Sequence, residues 1–182
     1  MNAATPSARH VILGDGVIGQ AVADELARLG QAAVLASRHA KTSAHPHLQV
    51  DALDASALHA AAQGATHLSV TLGLPYDWRV WQRDWPRVMH HAIHAALAHG
   101  AVLVFFDNVY AYGPLPLRVP MQEDHPVQPP SRKGAVRAEL PRLLSRAGEE
   151  RGLRWVIGRS ADFYGPGVRQ SPLFVAAIER QL

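Results

Sequence analysis

The stretch His10-Val11-Ile12-Leu13-Gly14-Asp15-Gly16-Val17-Ile18-Gly19 decides how the rest of this chain is read. A short apolar run ending at Leu13 has the character of a buried strand. The residues after the glycines open a helical pattern in which Ile18, Val22, Leu26 and Leu29 share one face. Between the two lies G-x-G-x-x-G, and each glycine has a physical task. Gly14 permits a sharp turn, Gly16 lets backbone approach a pyrophosphate, and Gly19 lets helix and strand pack closely. The helix start, at Val17 and Ile18, offers N–H groups and a partial positive charge to phosphate oxygens. A bare glycine turn is the alternative. The strand before and the helix after it favour a dinucleotide-binding unit.

Composition is ordinarily globular, with 48% hydrophobic and 18% charged residues in a chain of 182. That length suits one domain over residues 1–182, or a short member of a larger architecture. Residues 1–8 read as a flexible arm lacking the apolar core of a signal peptide. No apolar run is long enough to span a bilayer. There is no cysteine, hence no disulfide framework and no thiolate chemistry. A cytoplasmic protein is expected. The formal charge is +3, but the arginines are scattered, which argues against a nucleic-acid partner.

Strand-like and helical runs alternate, predicting an α/β doubly wound parallel sheet with helices on both faces. The expected strands after the first are 32–36, 48–50, 67–71, 101–106 and 155–158. Helices are expected over 56–63, 78–99 and 131–151, with an apolar helical stretch at 173–182. Gly30 and Gly100 mark helix stops. A Pro-rich loop at 113–130 interrupts the alternation, and loops of that length inside compact domains are usually functional. Pro141 is expected to kink the last long helix or end its first part.

Cofactor preference is read at the end of the second strand, Leu35-Ala36-Ser37-Arg38-His39. A carboxylate there would bind ribose hydroxyls, and none is present. Ser37 can donate a hydrogen bond, and Arg38 can meet a 2′-phosphate with a forked, charge-assisted pair. This points to NADP over NAD, with NAD possible. An exposed surface arginine is the plainer reading of Arg38.

Five segments occur in a telling order: Gly14–Gly19, Asp51, Asp107-Asn108-Val109-Tyr110-Ala111-Tyr112-Gly113-Pro114, Arg132-Lys133-Gly134, and Arg159 through Gly167 with its Phe163-Tyr164-Gly165-Pro166-Gly167. Together they resemble an NAD(P)-dependent epimerase/dehydratase of the extended short-chain dehydrogenase/reductase superfamily. The resemblance covers nearly the whole chain. It implies a Rossmann fold with cofactor across the carboxyl ends of the strands, Asp51 near the adenine and the Gly73 loop near the nicotinamide half. It also implies a small-molecule substrate, a nucleotide-sugar or related hydroxyl/carbonyl compound. A homodimer through the 78–99 and 131–151 helices is implied as well.

Three departures stand out. The family's catalytic set is Ser or Thr, Tyr and Lys, with Tyr four residues before Lys. Lys133 matches the lysine, Asn108 stands where Ser or Thr belongs, and Pro129 occupies the tyrosine position. Asn can still donate to a carbonyl oxygen, while proline cannot transfer a proton. Tyr110, Tyr112 and Tyr164 are the substitutes nearest in sequence. Tyr110 is preferred because it follows the strand end where ligands bind in such sheets, although an aromatic there also serves to pack the loop. Lys133 is expected to touch the cofactor ribose. The second departure is length: extended members continue past Phe163–Gly167 into a substrate-binding lobe, most of which is expected to fall outside these 182 residues. Pro141 is the third.

Other clusters carry less. His90 and His94 share a helix face as two metal ligands would, but no third ligand is evident, and Trp81, Trp85, Val88 and Ala92 form the opposite, buried stripe. Trp78, Trp81 and Trp85 at helical spacing read as packing rather than a stacking platform. No serine stands in a nucleophile-elbow setting. Two functions remain: an NADP-linked oxidoreductase or epimerase using Asn108, Tyr110 and Lys133, and a catalytically inactive NADP-binding regulatory or redox-sensing protein.

Overall fold

The computed structural model describes residues 8–39, 43–162 and 168. Six strands, β1 (Arg9–Leu13), β2 (Ala32–Ser37), β3 (His47–Gln49), β4 (His67–Val70), β5 (Val102–Asn108) and β6 (Trp155–Ser160), form one sheet in the order β3-β2-β1-β4-β5-β6. Every neighbouring pair is parallel. Helices α1 (Val17–Arg28), α2 (Ala55–Ala61), α3 (Trp78–His99) and α4 (Arg132–Arg151) make the crossovers. Strand order reverses between β1 and β4, so the loops leaving their carboxyl ends diverge and open a crevice. The Gly14–Gly19 loop sits on one side of that crevice.

Helix ends follow local chemistry. Asp54, Asp77 and Ser131 each cap a helix start with a side-chain oxygen accepting a backbone N–H. Gly100 and Gly152 end α3 and α4 in the left-handed conformation, at φ 64° and 70°. The larger core layer joins α2, α3 and α4 to one face of the sheet, through Leu68, Val70, Trp85, Met89, Leu103, Phe105, Leu140 and Leu144 among others. Each large apolar side chain withdrawn from water there contributes about 1.5–3 kcal/mol. A smaller layer of Ile12, Ala23 and Leu35 holds α1 to the other face.

The predicted α3 matches, as do its buried stripe and the exposed His90 and His94. One expectation needs correction. β5 runs two residues beyond Phe106, because Asp107 and Asn108 pair with Arg159 and Ser160 on β6. Of the two outcomes expected at Pro141, an end to the helix is excluded: α4 continues from Arg132 to Arg151. A helical proline costs about 3 kcal/mol. Burial of Val136, Leu140, Leu144 and Ala147 on the same helix offsets that penalty. The expected 173–182 helix, Tyr164 and the arm up to residue 7 lie outside the described residues.

Candidate functional site

The glycine loop is built to close tolerances on two sides and left open on the third. Gly14 has φ 120°, which an L side chain rarely adopts, and its N–H donates to the Ala36 carbonyl at 2.8 Å. A β-carbon there would lie 2.6 Å from the Leu72 nitrogen. A β-carbon on Gly19 would overlap the Gly14 carbonyl oxygen. Around Gly16, by contrast, there is nothing within 4 Å of the β-carbon position. Gly16 is also the N-cap of α1 and, having no side chain, supplies no cap of its own to the N–H groups of that first turn. Val17 is exposed and Ile18 half-buried on the same opening. An anionic group fits this cradle. The thread holding it in register is Thr71, whose hydroxyl lies 3.3 Å from the carbonyl oxygens of both Leu13 and Gly14. Thr71 was not singled out from the sequence; its position one residue past a central strand, beside the glycine loop, is the signal that could have found it.

At the outer end, β2 and β3 bring Ser37, Arg38 and Asp51 to one edge of the crevice. Val50 N–H donates to the Ser37 carbonyl at 2.8 Å, which sets Asp51 beside the end of β2. Asp51 is exposed, and its Oδ1 accepts the Leu53 N–H at 2.9 Å. Arg38 is exposed, as the phosphate reading requires. Ser37 differs from expectation in one respect. Its hydroxyl donates to the His39 carbonyl at 2.9 Å and meets His47 Nε2 at the same distance, so its proton is engaged within the chain.

The inner end is an open cleft of about 410 Å³ lined by Tyr76, Trp78, Tyr110, Ser131, Arg132 and Lys133. Two structural details bring its walls together. A β-carbon on Gly134 would overlap the Tyr110 carbonyl oxygen, so glycine lets the start of α4 lie against the end of β5. Ser131 Oγ accepts the Gly134 N–H at 3.0 Å and fixes that turn. Lys133 Nζ stands 2.8 Å from the centre of the Tyr76 ring, and the Arg132 guanidinium lies 4.4 Å over Trp78. Asn108, at the end of β5, accepts the Tyr110 N–H on Oδ1 at 3.0 Å. That bond leaves its amide nitrogen to donate elsewhere. Gly73 is exposed, with open space at its β-carbon position, on the loop that leads to Tyr76.

Tyr110 faces both ways. Its ring stacks on Trp81 at 6.2 Å, the packing role allowed for it, while its hydroxyl reaches the cleft and receives the Tyr76 hydroxyl at 3.4 Å. Burial and the Tyr76 hydrogen bond push its ionisation up to about 12. Tyr112 is buried, and its hydroxyl accepts from Arg159 Nη1 at 2.8 Å, so it braces the loop rather than lining the cleft.

Behind the cleft lies a charged network that the sequence reading missed. Asp107, 2% exposed, meets Arg137 Nη1 at 3.2 Å and Arg159 Nε at 3.4 Å. The Arg137 guanidinium lies 4.0 Å over Trp85 and 4.9 Å over Trp81. Burial raises the Asp107 carboxyl above its usual range and lowers Arg137 to about 10, against the attraction between them. Arg137 remains charged at neutral pH. An arginine three residues before Leu140 on the buried stripe of α4 was the available signal. Among the described residues no group of three or more His, Cys, Asp or Glu is arranged to hold a metal ion, and no helix is long and apolar enough to cross a membrane.

Comparison with known proteins agrees with this architecture. The sequence model of the NAD dependent epimerase/dehydratase family matches residues 11–181. No curated protein sequence matches. Among similar solved structures is the UDP-glucose 4-epimerase of Brucella ovis in complex with NAD, with TM-score 0.75 and 19% identity over 85% of this chain and 52% of that one. The UDP-glucose 4-epimerase of Thermus thermophilus, also in complex with NAD, gives 0.77 and 23% over 93% of this chain and 60% of that one. A UDP-galactose 4-epimerase gives 0.81 and 21% over 94% and 63%. At such identities the likeness concerns the fold. The chain thus spans 52–63% of the length of these three relatives.

Proposed function

The chain belongs to the NAD dependent epimerase/dehydratase family, and on that premise we propose that it binds a nicotinamide dinucleotide across the carboxyl ends of β1, β2 and β4 and serves hydride transfer on a nucleotide-sugar or related hydroxyl/carbonyl substrate. The observation that carries this reading is the cradle at Gly16. Two glycines are sterically obligatory there, and the third faces open space at the start of α1. A diphosphate is the group such a cradle accommodates, held by the amides of Gly16, Val17, Ile18 and Gly19.

Arg38 selects the phosphorylated cofactor, NADP, by pairing with its 2′-phosphate; Asp51 borders the adenine and Gly73 the nicotinamide half. Lys133 holds the nicotinamide ribose, and Asn108 donates its amide to the substrate oxygen. A tyrosine of the cleft, where Tyr110 and Tyr76 meet, exchanges the proton. The bound dinucleotide supplies the hydride acceptor or donor. The protein acts in the cytoplasm as a homodimer built through α3 and α4, whose exposed His90 and His94 would lie near that interface.

The second reading, a non-catalytic NADP-binding regulator, is favoured by one observation: Pro129 stands where the family places its tyrosine. Nicotinamide fluorescence separates the two. NADPH is added to look for binding, then UDP-glucose, UDP-galactose, a free uronate and 4-nitrobenzaldehyde are offered with the matching cofactor redox state. Binding with turnover supports the enzyme, binding without turnover the regulator, and no binding contradicts both.

A further inference from the structure

We propose that Tyr76, on the loop between β4 and α3, is the residue that exchanges a proton with the substrate oxygen, replacing from the opposite wall of the cleft the tyrosine that Pro129 displaces. The assignment rests on the cofactor-binding reading above.

Three observations converge on this side chain. Tyr76 lines the cleft together with Lys133, and Lys133 Nζ lies 2.8 Å from its ring centre, so the lysine retains a tyrosine partner although none precedes it on α4. Its hydroxyl is 3.4 Å from that of Tyr110, which is held protonated at neutral pH. Tyr76 is also 70% exposed, whereas Tyr110 is half-buried against Trp81. Of the two hydroxyls, the outer one is reached first by a molecule entering the cleft. The inner one stands behind it as a hydrogen-bond donor once a phenolate forms. A 3.4 Å separation is loose for a hydroxyl pair, and such contacts tighten when charge develops.

The balance of the step is simple. On reduction, a carbonyl carbon receives a hydride, two electrons and one hydrogen nucleus, from reduced cofactor. The carbonyl oxygen receives a proton from the Tyr76 hydroxyl, giving an alcohol and oxidised cofactor. The Tyr76 phenolate, held by the Tyr110 hydroxyl and Lys133, regains its proton from solvent through the open cleft. Oxidation runs the same transfers in reverse.

The test uses the full chain and the variants Tyr76→Phe and Tyr110→Phe. Tyr76→Phe keeps the ring under Lys133 and alters an exposed hydroxyl, so folding is not at stake. Cofactor affinity, by nicotinamide fluorescence, is expected to stay within threefold in both variants. Turnover of whichever panel substrate the unmodified protein accepts is expected to fall by about 10²–10⁴ in Tyr76→Phe and by about tenfold in Tyr110→Phe, which loses a single hydrogen bond. A second readout needs no turnover. In protein labelled with [ζ-¹³C]tyrosine, saturating oxidised cofactor is expected to move the Tyr76 resonance, identified by its loss in Tyr76→Phe, and to leave Tyr112 in place. A Tyr76 resonance that stays put at saturation overturns the assignment. So does a Tyr76→Phe protein that keeps its rate, or an unmodified protein that binds cofactor yet turns over nothing in the panel. All three leave cofactor binding standing. Absence of binding removes the cofactor reading and this assignment together.

Discussion

Replacing Gly16 by valine separates the two tasks of the glycine loop, because the three glycines are constrained for different reasons. Gly16 has φ −72° and ψ −175°, an extended conformation open to any L residue, and its β-carbon position has no neighbour within 4 Å. The substitution therefore costs the fold only what a poor N-cap costs, about 1 kcal/mol or less. It places a branched side chain where phosphate oxygens would approach the amides of the first turn. Losing one or two charge-assisted hydrogen bonds, at about 1.5–3 kcal/mol each, weakens cofactor binding by about tenfold to about 10⁴-fold, since about 1.4 kcal/mol is a factor of ten. Gly19→Ala gives the opposite profile. Its methyl would overlap the Gly14 carbonyl oxygen at a contact between helix and loop that cannot flex cheaply. Overpacking of that kind costs about 1–3 kcal/mol, which for a domain of this size lowers Tm by about 2–12 °C. The assay is a thermal melt of each apo protein beside a calorimetric titration with NADPH. A Gly16→Val protein that melts within about 3 °C of the unmodified chain and binds NADPH as tightly would refute the placement of the diphosphate.

Three further outcomes are expected. Arg38→Ala weakens NADPH about 10- to 100-fold, the range of one charge-assisted pair, and leaves NADH unchanged; equal affinities of the unmodified protein for the two cofactors would contradict the 2′-phosphate role. Arg137→Leu strips Asp107 of its nearer arginine and costs about 3–5 kcal/mol, whereas adding Asp107→Asn to it restores part of that loss, a non-additivity read in a double-mutant cycle of urea melts. His67 stacks on His10 at 4.4 Å, and burial, together with His10 and Arg154, lowers its protonation below the usual 6.5. The unfolded chain then binds the proton first, so this contribution is complete above pH 6.5 and is lost as pH falls through the folded value. Urea midpoints measured from pH 7.5 down to 5 should decline less steeply in His67→Gln; parallel curves would contradict it.

What the chain reveals before folding is what depends on near neighbours. The glycine spacing announces a tight turn into a helix, and the tryptophan spacing in α3 announces its buried stripe, because both are properties of consecutive residues. Strand β5 was legible up to Phe106 and then obscured, since a buried Asp107 is tolerable only with Arg137 and Arg159, thirty and fifty-two residues away. Tyr76 was invisible for a related reason. Nothing in Pro75-Tyr76-Asp77 marks it, and its meeting with Lys133 and Tyr110 exists only once parallel pairing sets β4 beside β5. Pro141 lies within a continuous α4 because the packing of its neighbours outweighs local propensity.

The proposed function requires a dinucleotide seated at the start of α1. Isothermal titration of the unmodified full chain with NADPH, and separately with NADH, measures that directly. The expected result is a saturable exotherm with one site per chain, tighter for NADPH, accompanied by a rise in Tm at saturating ligand. No heat and no thermal protection with either cofactor at millimolar concentration would contradict it.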